Sequence, residues 1–303
     1  MYDLIIIGGG PAAVSAGIYA ARKKLKTILI TKAWGGQMAL APEIENYPGF
    51  ELITGAELVN KFTEHLKKNE LEIKEGVEIK DIKLNGNLVE VKANSDIYQA
   101  KAAVITTGRN PRKLGLANED KFIGKGISYC STCDAPLFRD KEVAVIGGGN
   151  MGLGTALDLA TYASKIYVLE YSPELKADKY FQDKIKKIDK IEVITSVRIA
   201  EIKGNQFVNS LVYSNGTKGQ NKELPVQGIF IAIGSDASSF LVKNVVKLNK
   251  EGEIKINSRN RTSQPNIFAA GDVTDISHKQ IVIAAGEGAK AALNAYDYLQ
   301  NLK

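Results

Sequence analysis

The chain is poor in the side chains on which much simple catalytic chemistry depends. Its 303 residues include only 2 histidines, His65 and His278, and only 2 cysteines, Cys130 and Cys133. No Ser-His-Asp set and no HExxH pair can be assembled from it, which argues against hydrolytic chemistry. A half zinc site is the bland reading of the cysteine pair, but a structural zinc needs a full Cys/His shell that this chain does not supply. No run of about 18 uninterrupted apolar residues occurs, so no transmembrane helix is expected. The first apolar strand begins almost at Met1. That placement gives the expectation of no secretion leader and a cytoplasmic location. Both cysteines fall in one CxxC, the pattern of a transient, catalytic disulfide in a reducing compartment.

What is present is ordinary globular content, 44% hydrophobic and 24% charged, in a chain long enough for two cores. The net charge is +6. Its lysine-rich clusters at Arg22–Lys26 and Lys184–Lys190 are placed on predicted helices. They read as solvated faces, with a docking surface for an acidic protein partner as the alternative. No recognition motif or basic–aromatic interleaving accompanies the charge, so nucleic-acid binding is not expected.

Two segments resemble each other closely. LIIIGGGPAA (Leu4 to Ala13) and VAVIGGGNMG (Val143 to Gly152) align without a gap from Leu4/Val143 through Thr31/Glu170. Each fits a buried parallel strand, a glycine-rich phosphate turn and a helix, the unit that binds a dinucleotide. The first predicts a strand over 3–8, a helix over 11–23 and a strand over 27–31. A helix near 54–69, strand-like alternation from 71 to 103 and a short buried strand over 103–107 follow. Arg109-Asn110-Pro111 reads as a linker. The second unit fills about 115–240, and Asn266–Asp272 repeats the buried-strand pattern before a helix over roughly 281–299. The expected class is α/β, with two Rossmann-like domains, the second inserted into the first.

The chemistry-bearing positions follow from these turns. In Gly8-x-Gly10-x-x-Ala13 the glycines let backbone N–H groups approach a pyrophosphate at a helix N-terminus. Gly147-x-Gly149-x-x-Gly152 is the complete form, and Glu170 ends its second strand. A carboxylate there accepts hydrogen bonds from the adenosine ribose of NAD. It would repel a 2′-phosphate by up to about 4 kcal/mol at close range, less where screened. No arginine lies in Tyr171–Lys176 to offset it, so NADH is expected over NADPH. Thr31 stands at the equivalent place in the first unit, where Asp272 is the candidate to bind a ribityl or phosphate-side oxygen of FAD. The helix that follows begins near Gln280-Ile281, and its positive end suits charge on a reduced flavin. CxxC spacing permits a small disulfide ring and lowers one thiol pKa. Asp134 is its candidate proton donor and acceptor. Two dinucleotide turns with a dithiol between them suggest a relay.

Taken together these residues resemble the low-molecular-weight thioredoxin reductases of bacteria and archaea. They also resemble the flavoprotein component of bacterial alkyl hydroperoxide reductase without its N-terminal domains. The motifs are GGGPAA, GGQ (Gly35 to Gln37), ENYPG (Glu45 to Gly49), TTG (Thr106 to Gly108), CSTCD, GGGNMG, AAGDV (Ala269 to Val273) and KQI (Lys279 to Ile281), spread over essentially the whole chain. The resemblance implies an FAD-binding domain, 1–113 and 243–303, and an NAD(P)-binding domain, 114–242, that carries the CxxC. FAD would contact Gly8, Gly10, Pro11, Ala12, Gly36, Gln37, Asn46, Thr107, Gly108, Gly271, Asp272, Gln280 and Ile281. NAD would contact Gly147, Gly149, Asn150, Met151, Gly152 and Glu170. Cys133 would face the flavin, Cys130 would attack the substrate disulfide, and Asp134 would serve as acid and base. The implied activity is thioredoxin-disulfide reduction fed by NADH, with a thioredoxin or glutaredoxin-like partner, a swinging second domain and a homodimer. No metal is expected. Three departures stand out. Glu170–Lys176 replaces the HRRxxxR of NADPH-using members. Gly154-Thr155 stands where an acidic pair commonly seats the nicotinamide, which opens an alternative donor such as reduced ferredoxin or a deazaflavin. Ala13 replaces a glycine.

Overall fold

The structure is a computed structural model that describes residues 1–41, 43–216 and 219–302. The chain divides into two compact units. The first comprises Met1–Leu40, Asn46–Asn110 and Asp236–Lys303, and the second Ala41–Glu45 and Pro111–Ser235.

The first unit opens with strand β1 (Tyr2–Ile7), helix α1 (Pro11–Arg22) and strand β2 (Thr27–Thr31). The apolar runs Leu4–Ile7 and Ile28–Ile30 are buried on both faces, as central parallel strands must be. Helix α2 (Gly55–Lys67) starts at a capping box, in which Thr54 Oγ1 accepts Glu57 N–H and Glu57 accepts Thr54 N–H. Strands β3 (Glu72–Glu75), β4 (Ile79–Asn85), β5 (Leu88–Ala93) and β6 (Asp96–Ile105) follow. The first half of β6 pairs antiparallel with β5, and its second half lies parallel to β1. That double duty explains why the strand expected at 103–107 begins earlier, at Asp96, and it ends at Ile105.

Strand β7 (Arg109–Pro111) leads out, and the second unit begins with the short β8 (Ile127–Ser128) and the single-turn helix α3 (Ser131–Asp134). The second glycine-turn unit is β9 (Glu142–Ile146), α4 (Asn150–Leu159) and β10 (Lys165–Leu169). Helix α5 (Lys179–Ile185), β11 (Ile191–Ile194), an antiparallel meander of β12 (Val197–Gly204), β13 (Val208–Asn215) and β14 (Asn221–Pro225), and β15 (Gly228–Ile231) complete it. Strand β16 (Ser235–Ala237) leads back to β17 (Ile267–Ala269) and the long helix α6 (Ile281–Gln300). The sequence put the crossings at 113/114 and 242/243; they fall at 110/111 and 235/236.

In the first unit the sheet runs β3-β2-β1-β6-β5-β4, with β17 also on β6. In the second a parallel sheet runs β11-β10-β9-β15-β8. Around these sheets Leu4, Ile6, Leu29 and Phe268 anchor one core face of the first unit. Val143, Val145, Ile166 and Phe230 do so in the second. Among the described residues no helix is long and apolar enough to cross a membrane.

The lysine clusters differ from expectation. Helix α1 ends at Arg22 and Lys24 turns left-handed at φ 56°, while α5 ends at Ile185. Most of each cluster therefore lies just past a helix C-terminus, where positive charge complements the partial negative end of the macrodipole.

Candidate functional site

The first glycine turn is built for close approach. Gly8 sits at φ 132°, and a Cβ there would stand 2.4 Å from the Thr106 carbonyl oxygen. Thr106 Oγ1 in turn donates to the Ile7 carbonyl at 2.6 Å. Gly10 caps α1, with Pro11 at its first turn, where the missing N–H costs nothing. Among the described residues no atom lies within 4 Å of where a Gly10 Cβ would be, so this end of α1 presents open space. Gly36 lies beside it, its own would-be Cβ 3.9 Å from Gly10 Cα.

Two glycines, Gly288 on α6 and Gly271 ahead of it, pack closely against α1. A Cβ at Gly288 would stand 2.0 Å from the Ala12 carbonyl oxygen, and one at Gly271 (φ 76°) would be 3.1 Å from Ala12 Cβ. Ala12, Gly271 and Asp272 are thereby gathered near the glycine turn. Burial pushes the Asp272 carboxyl up, against the pull of Lys279 and Arg109. A side chain that sequence reasoning missed, Glu253, ties those two cations together. Arg109 Nη1 donates to Glu253 Oε1 at 2.9 Å, and Lys279 Nζ lies 3.2 Å from the same oxygen. Burial works to raise the Glu253 carboxyl, but Asn249, Lys279 and Arg109 outweigh it and hold it low. Asn46 Nδ2 reaches Gln280 Oε1, the residue before α6 and Ile281, at 3.5 Å. Gln37 spends its amide N–H on the Arg109 carbonyl, and Thr107 its hydroxyl on the Ser238 carbonyl. Gly108 turns left-handed at φ 68° beside open space. An open glycine cradle at a helix N-terminus and a half-buried acid beside it fit the pyrophosphate and polyol parts of FAD.

The second turn repeats the first. Gly147 has φ 118°, with a would-be Cβ 2.5 Å from the Ala232 carbonyl oxygen, and Gly149 faces open space. Gly152 is tighter still, since a Cβ there would stand 1.8 Å from the Gly147 carbonyl oxygen. Glu170, only 8% exposed, turns into this loop. Its Oε2 accepts Gly148 N–H at 2.5 Å and its Oε1 accepts Ser172 N–H at 2.7 Å. Burial works to raise this carboxyl, and the two backbone donors with Lys176 outweigh it and hold it low. The remaining lone pairs are acceptors, which fits ribose hydroxyls. Asn150 is committed locally: Nδ2 donates to Asp178 Oδ2 at 2.8 Å, and Oδ1 accepts Asp178 N–H at 2.7 Å. Met151 is exposed. From the meander, one arginine reaches the side chain of Tyr171. Arg198 donates to Tyr171 Oη at 3.5 Å and stacks over its ring at 5.7 Å. Only the tertiary fold makes that neighbour visible.

Cys130 and Cys133 form a disulfide with their Cα atoms 5.3 Å apart. Cys133 N–H points at Cys130 Sγ at 3.2 Å. Asp134 ends the same helical turn, 9% exposed, and accepts the Ser128 hydroxyl on Oδ2 at 2.6 Å. Burial raises this carboxyl above the usual range, and the Ser128 hydroxyl pulls back. Tyr129, between them, donates to the buried Glu119 at 2.8 Å; Glu119 also accepts the N–H groups of Leu114 and Gly115. Desolvation, reinforced by Glu119, drives the Tyr129 phenol well above its normal range. Ser131 Oγ donates to Asp158 on α4. Among the described residues no cluster of three or more His, Cys, Asp or Glu could hold a metal.

Two nested glycine-turn units, one with a half-buried acid after its last strand and the other with a CxxC disulfide, define a class. The chain belongs to the pyridine nucleotide-disulphide oxidoreductase family, whose model matches residues 2–288. It is similar to the F component of alkyl hydroperoxide reductase from Staphylococcus epidermidis, at 40% identity over 299 residues. That match covers 98% of this chain but 59% of the relative, so the chain spans little more than half the length of the curated relatives it matches. Among solved structures it is similar to thioredoxin reductase from Streptococcus pyogenes, with TM-score 0.94, 37% identity and 99% of both chains covered. Thioredoxin reductase from Giardia duodenalis matches with TM-score 0.91 and 32% identity, again over 99% of each chain. The resemblance drawn from the motifs and the α/β class drawn from the glycine turns both hold.

Proposed function

We propose that this chain is an FAD-dependent thioredoxin-disulfide reductase that prefers NADH to NADPH and passes electrons through Cys130 and Cys133 to a thioredoxin-like or glutaredoxin-like protein. The carrying observation is the closed Cys130–Cys133 disulfide beside a buried carboxyl whose Oδ1 has no hydrogen-bond partner among the described residues. FAD, when bound, supplies a two-electron carrier between the nicotinamide and the disulfide. The residues that would hold it are Gly8, Gly10, Pro11, Ala12, Gly271 and Asp272, with Gln280 and Ile281 at the α6 N-terminus. Gly147, Gly149 and Glu170 would hold NADH. The Glu170 carboxylate, already fixed by two backbone donors, keeps accepting sites for ribose hydroxyls and repels a 2′-phosphate.

In the reduced state Cys130 thiolate attacks one sulfur of the partner disulfide and displaces the other as a thiolate. Cys133 then attacks Cys130 Sγ, releases the second partner thiolate and regenerates the disulfide. Asp134 takes the proton from the attacking thiol and returns it to the leaving sulfur. A cytoplasmic homodimer belongs to the same reading, and analytical ultracentrifugation checks its assembly state.

Anaerobic titration with NADH and, separately, NADPH tests the donor. Rapid bleaching of bound flavin by NADH at lower concentration than NADPH is the expected result. A second reading, a donor other than a nicotinamide nucleotide, draws on Gly154-Thr155, which stand where related enzymes commonly carry an acidic pair. Failure of both nucleotides to bleach the flavin would favour it. Cys130→Ser and Cys133→Ser should each abolish reduction of a protein disulfide while flavin stays bound; wild-type turnover by Cys130→Ser would sink the assignment.

A further inference from the structure

The hydroxyl of Ser128 touches both the Asp134 carboxyl and the main chain of Cys130. Ser128 is 4% exposed, at the end of β8. Its Oγ lies 2.6 Å from Asp134 Oδ2, 3.0 Å from Cys130 N and 3.3 Å from Cys130 O. A hydroxyl has one proton to give and two lone pairs to accept with, so Ser128 can hold Oδ2 and Cys130 N–H together in either charge state of Asp134. With Asp134 ionised, Ser128 donates to Oδ2 and accepts Cys130 N–H. With Asp134 protonated on Oδ1, Oδ2 becomes a carbonyl oxygen that still accepts the Ser128 hydroxyl, and Cys130 N–H stays on Ser128 Oγ. Neither arrangement strands Oδ2 in its buried setting, where an unpaired polar group is costly. The other carboxyl oxygen, Oδ1, is buried with no hydrogen-bond partner among the described residues.

We propose that Ser128 is a positioning residue of the dithiol centre, a hydroxyl that holds Asp134 through Oδ2 in both protonation states and leaves Oδ1 to exchange a proton with the cysteines. The step is a proton transfer alone. A cysteine thiol and the Asp134 carboxylate become a thiolate and a carboxylic acid, the S–H bond breaks, the O–H bond forms, and no electrons change hands. The proposal rests on the reading of Asp134 as the acid and base of the exchange.

Other charges leave this pair to set its own balance. On α4, packed against α3, the charged residue is Asp158, which accepts Ser131 Oγ. The turn Ala135–Phe138 that follows carries no charged side chain. Tyr129 directs its hydroxyl to Glu119. Once reduced, the two cysteines join Asp134 as titrating groups of this turn. Burial lifts the Asp134 carboxyl and the Ser128 hydroxyl opposes that lift.

The test uses the full flavin-loaded chain, reduced anaerobically with dithiothreitol and desalted. Iodoacetamide alkylation rates of Cys130 and Cys133 are then followed peptide by peptide against pH. Ser128→Ala removes the donor to the ionised carboxyl, so the carboxyl-dependent limb should move up by about one pH unit. Ser128→Thr should restore the limb, and Asp134→Asn should erase it. Ser128→Gly gives the same removal should the alanine variant fail to fold. A profile that moves with Asp134→Asn but not with either removal overturns the role of Ser128 alone, as does a uniform change in rate with no displaced limb. A profile unmoved by Asp134→Asn overturns the acid–base reading and this proposal with it.

Discussion

The two glycine-turn openings share a backbone and differ in how it is fastened. Gly10 and Gly149 cap their helices at φ −83° and −86°, with ψ −175° and −176°. In the first unit the Gly9 carbonyl accepts Gly35 N–H at 2.8 Å, and Thr31 turns its hydroxyl to the Ala33 carbonyl. In the second the Gly148 carbonyl accepts Lys176 and Ala177 N–H, while Glu170 takes Gly148 N–H. The fifth strand differs too. In the first unit β17 comes last in the chain and leads into Gly271-Asp272; in the second β8 comes before β9 and leads into Cys130. Both strands lie parallel beside the strand next to the glycine-turn strand. One place in the sheet thus leads to an acid in one unit and to the cysteine pair in the other, side chains that the shared fold does not dictate.

Substitution can break this correspondence, most severely at the tightest contact. Gly152→Ala would place a Cβ 1.8 Å from the Gly147 carbonyl oxygen, whereas Ala13 occupies the equivalent position and is fully buried. The variant should lose about 3 kcal/mol, read by urea denaturation. Ala13→Gly should lose about 1 kcal/mol. Glu170→Gln comes next. It leaves one of two backbone N–H groups facing an amide instead of a carboxylate, costs about 2 kcal/mol, and should narrow any preference for NADH over NADPH by about tenfold. Because the Glu170 carboxyl is held low in the folded state, its contribution is complete above about pH 4.3 and fades as pH falls through the depressed folded value. The Gln variant should lose that part of the acid dependence in pH-resolved denaturation. Smallest is Thr31→Val, which removes one hydroxyl bond to Ala33 and should cost about 1 kcal/mol without touching nucleotide preference.

Much of this was legible in the chain because glycine turns and apolar strands are local signals. The helices at 11–22 and 281–300 and the strand at 27–31 follow from periodicity and caps within their own windows. The acid at Glu170 was legible from alignment of the two openings, but its capture by Gly148 N–H was not, since that bond joins residues 22 apart. Arg198 reaches Tyr171 from a different strand, and Glu253 joins Arg109 across 144 positions. Such partners are set by sheet order and strand register, which no local pattern encodes. Ser128 lay in plain sight within the cysteine motif. Its importance depends on the turn of α3 that brings Asp134 back over it.

The clasps at the two crossings bear on how the chain assembles. Arg112 N–H donates to the Gly234 carbonyl at 3.0 Å within the second unit, and Ser238 N–H donates to the Gly108 carbonyl at 2.9 Å within the first. Each unit therefore holds its ends at the 110/111 and 235/236 crossings side by side. While residues 111–235 are unfolded, they are a long slack loop that the first unit must close at an entropic cost growing with loop length. Once they fold, the loop contracts to the width of one hydrogen-bonded pair. Gly152→Ala, which weakens only the inserted unit, should then slow refolding of the outer unit, because the inner fold acts as a knot that shortens the string.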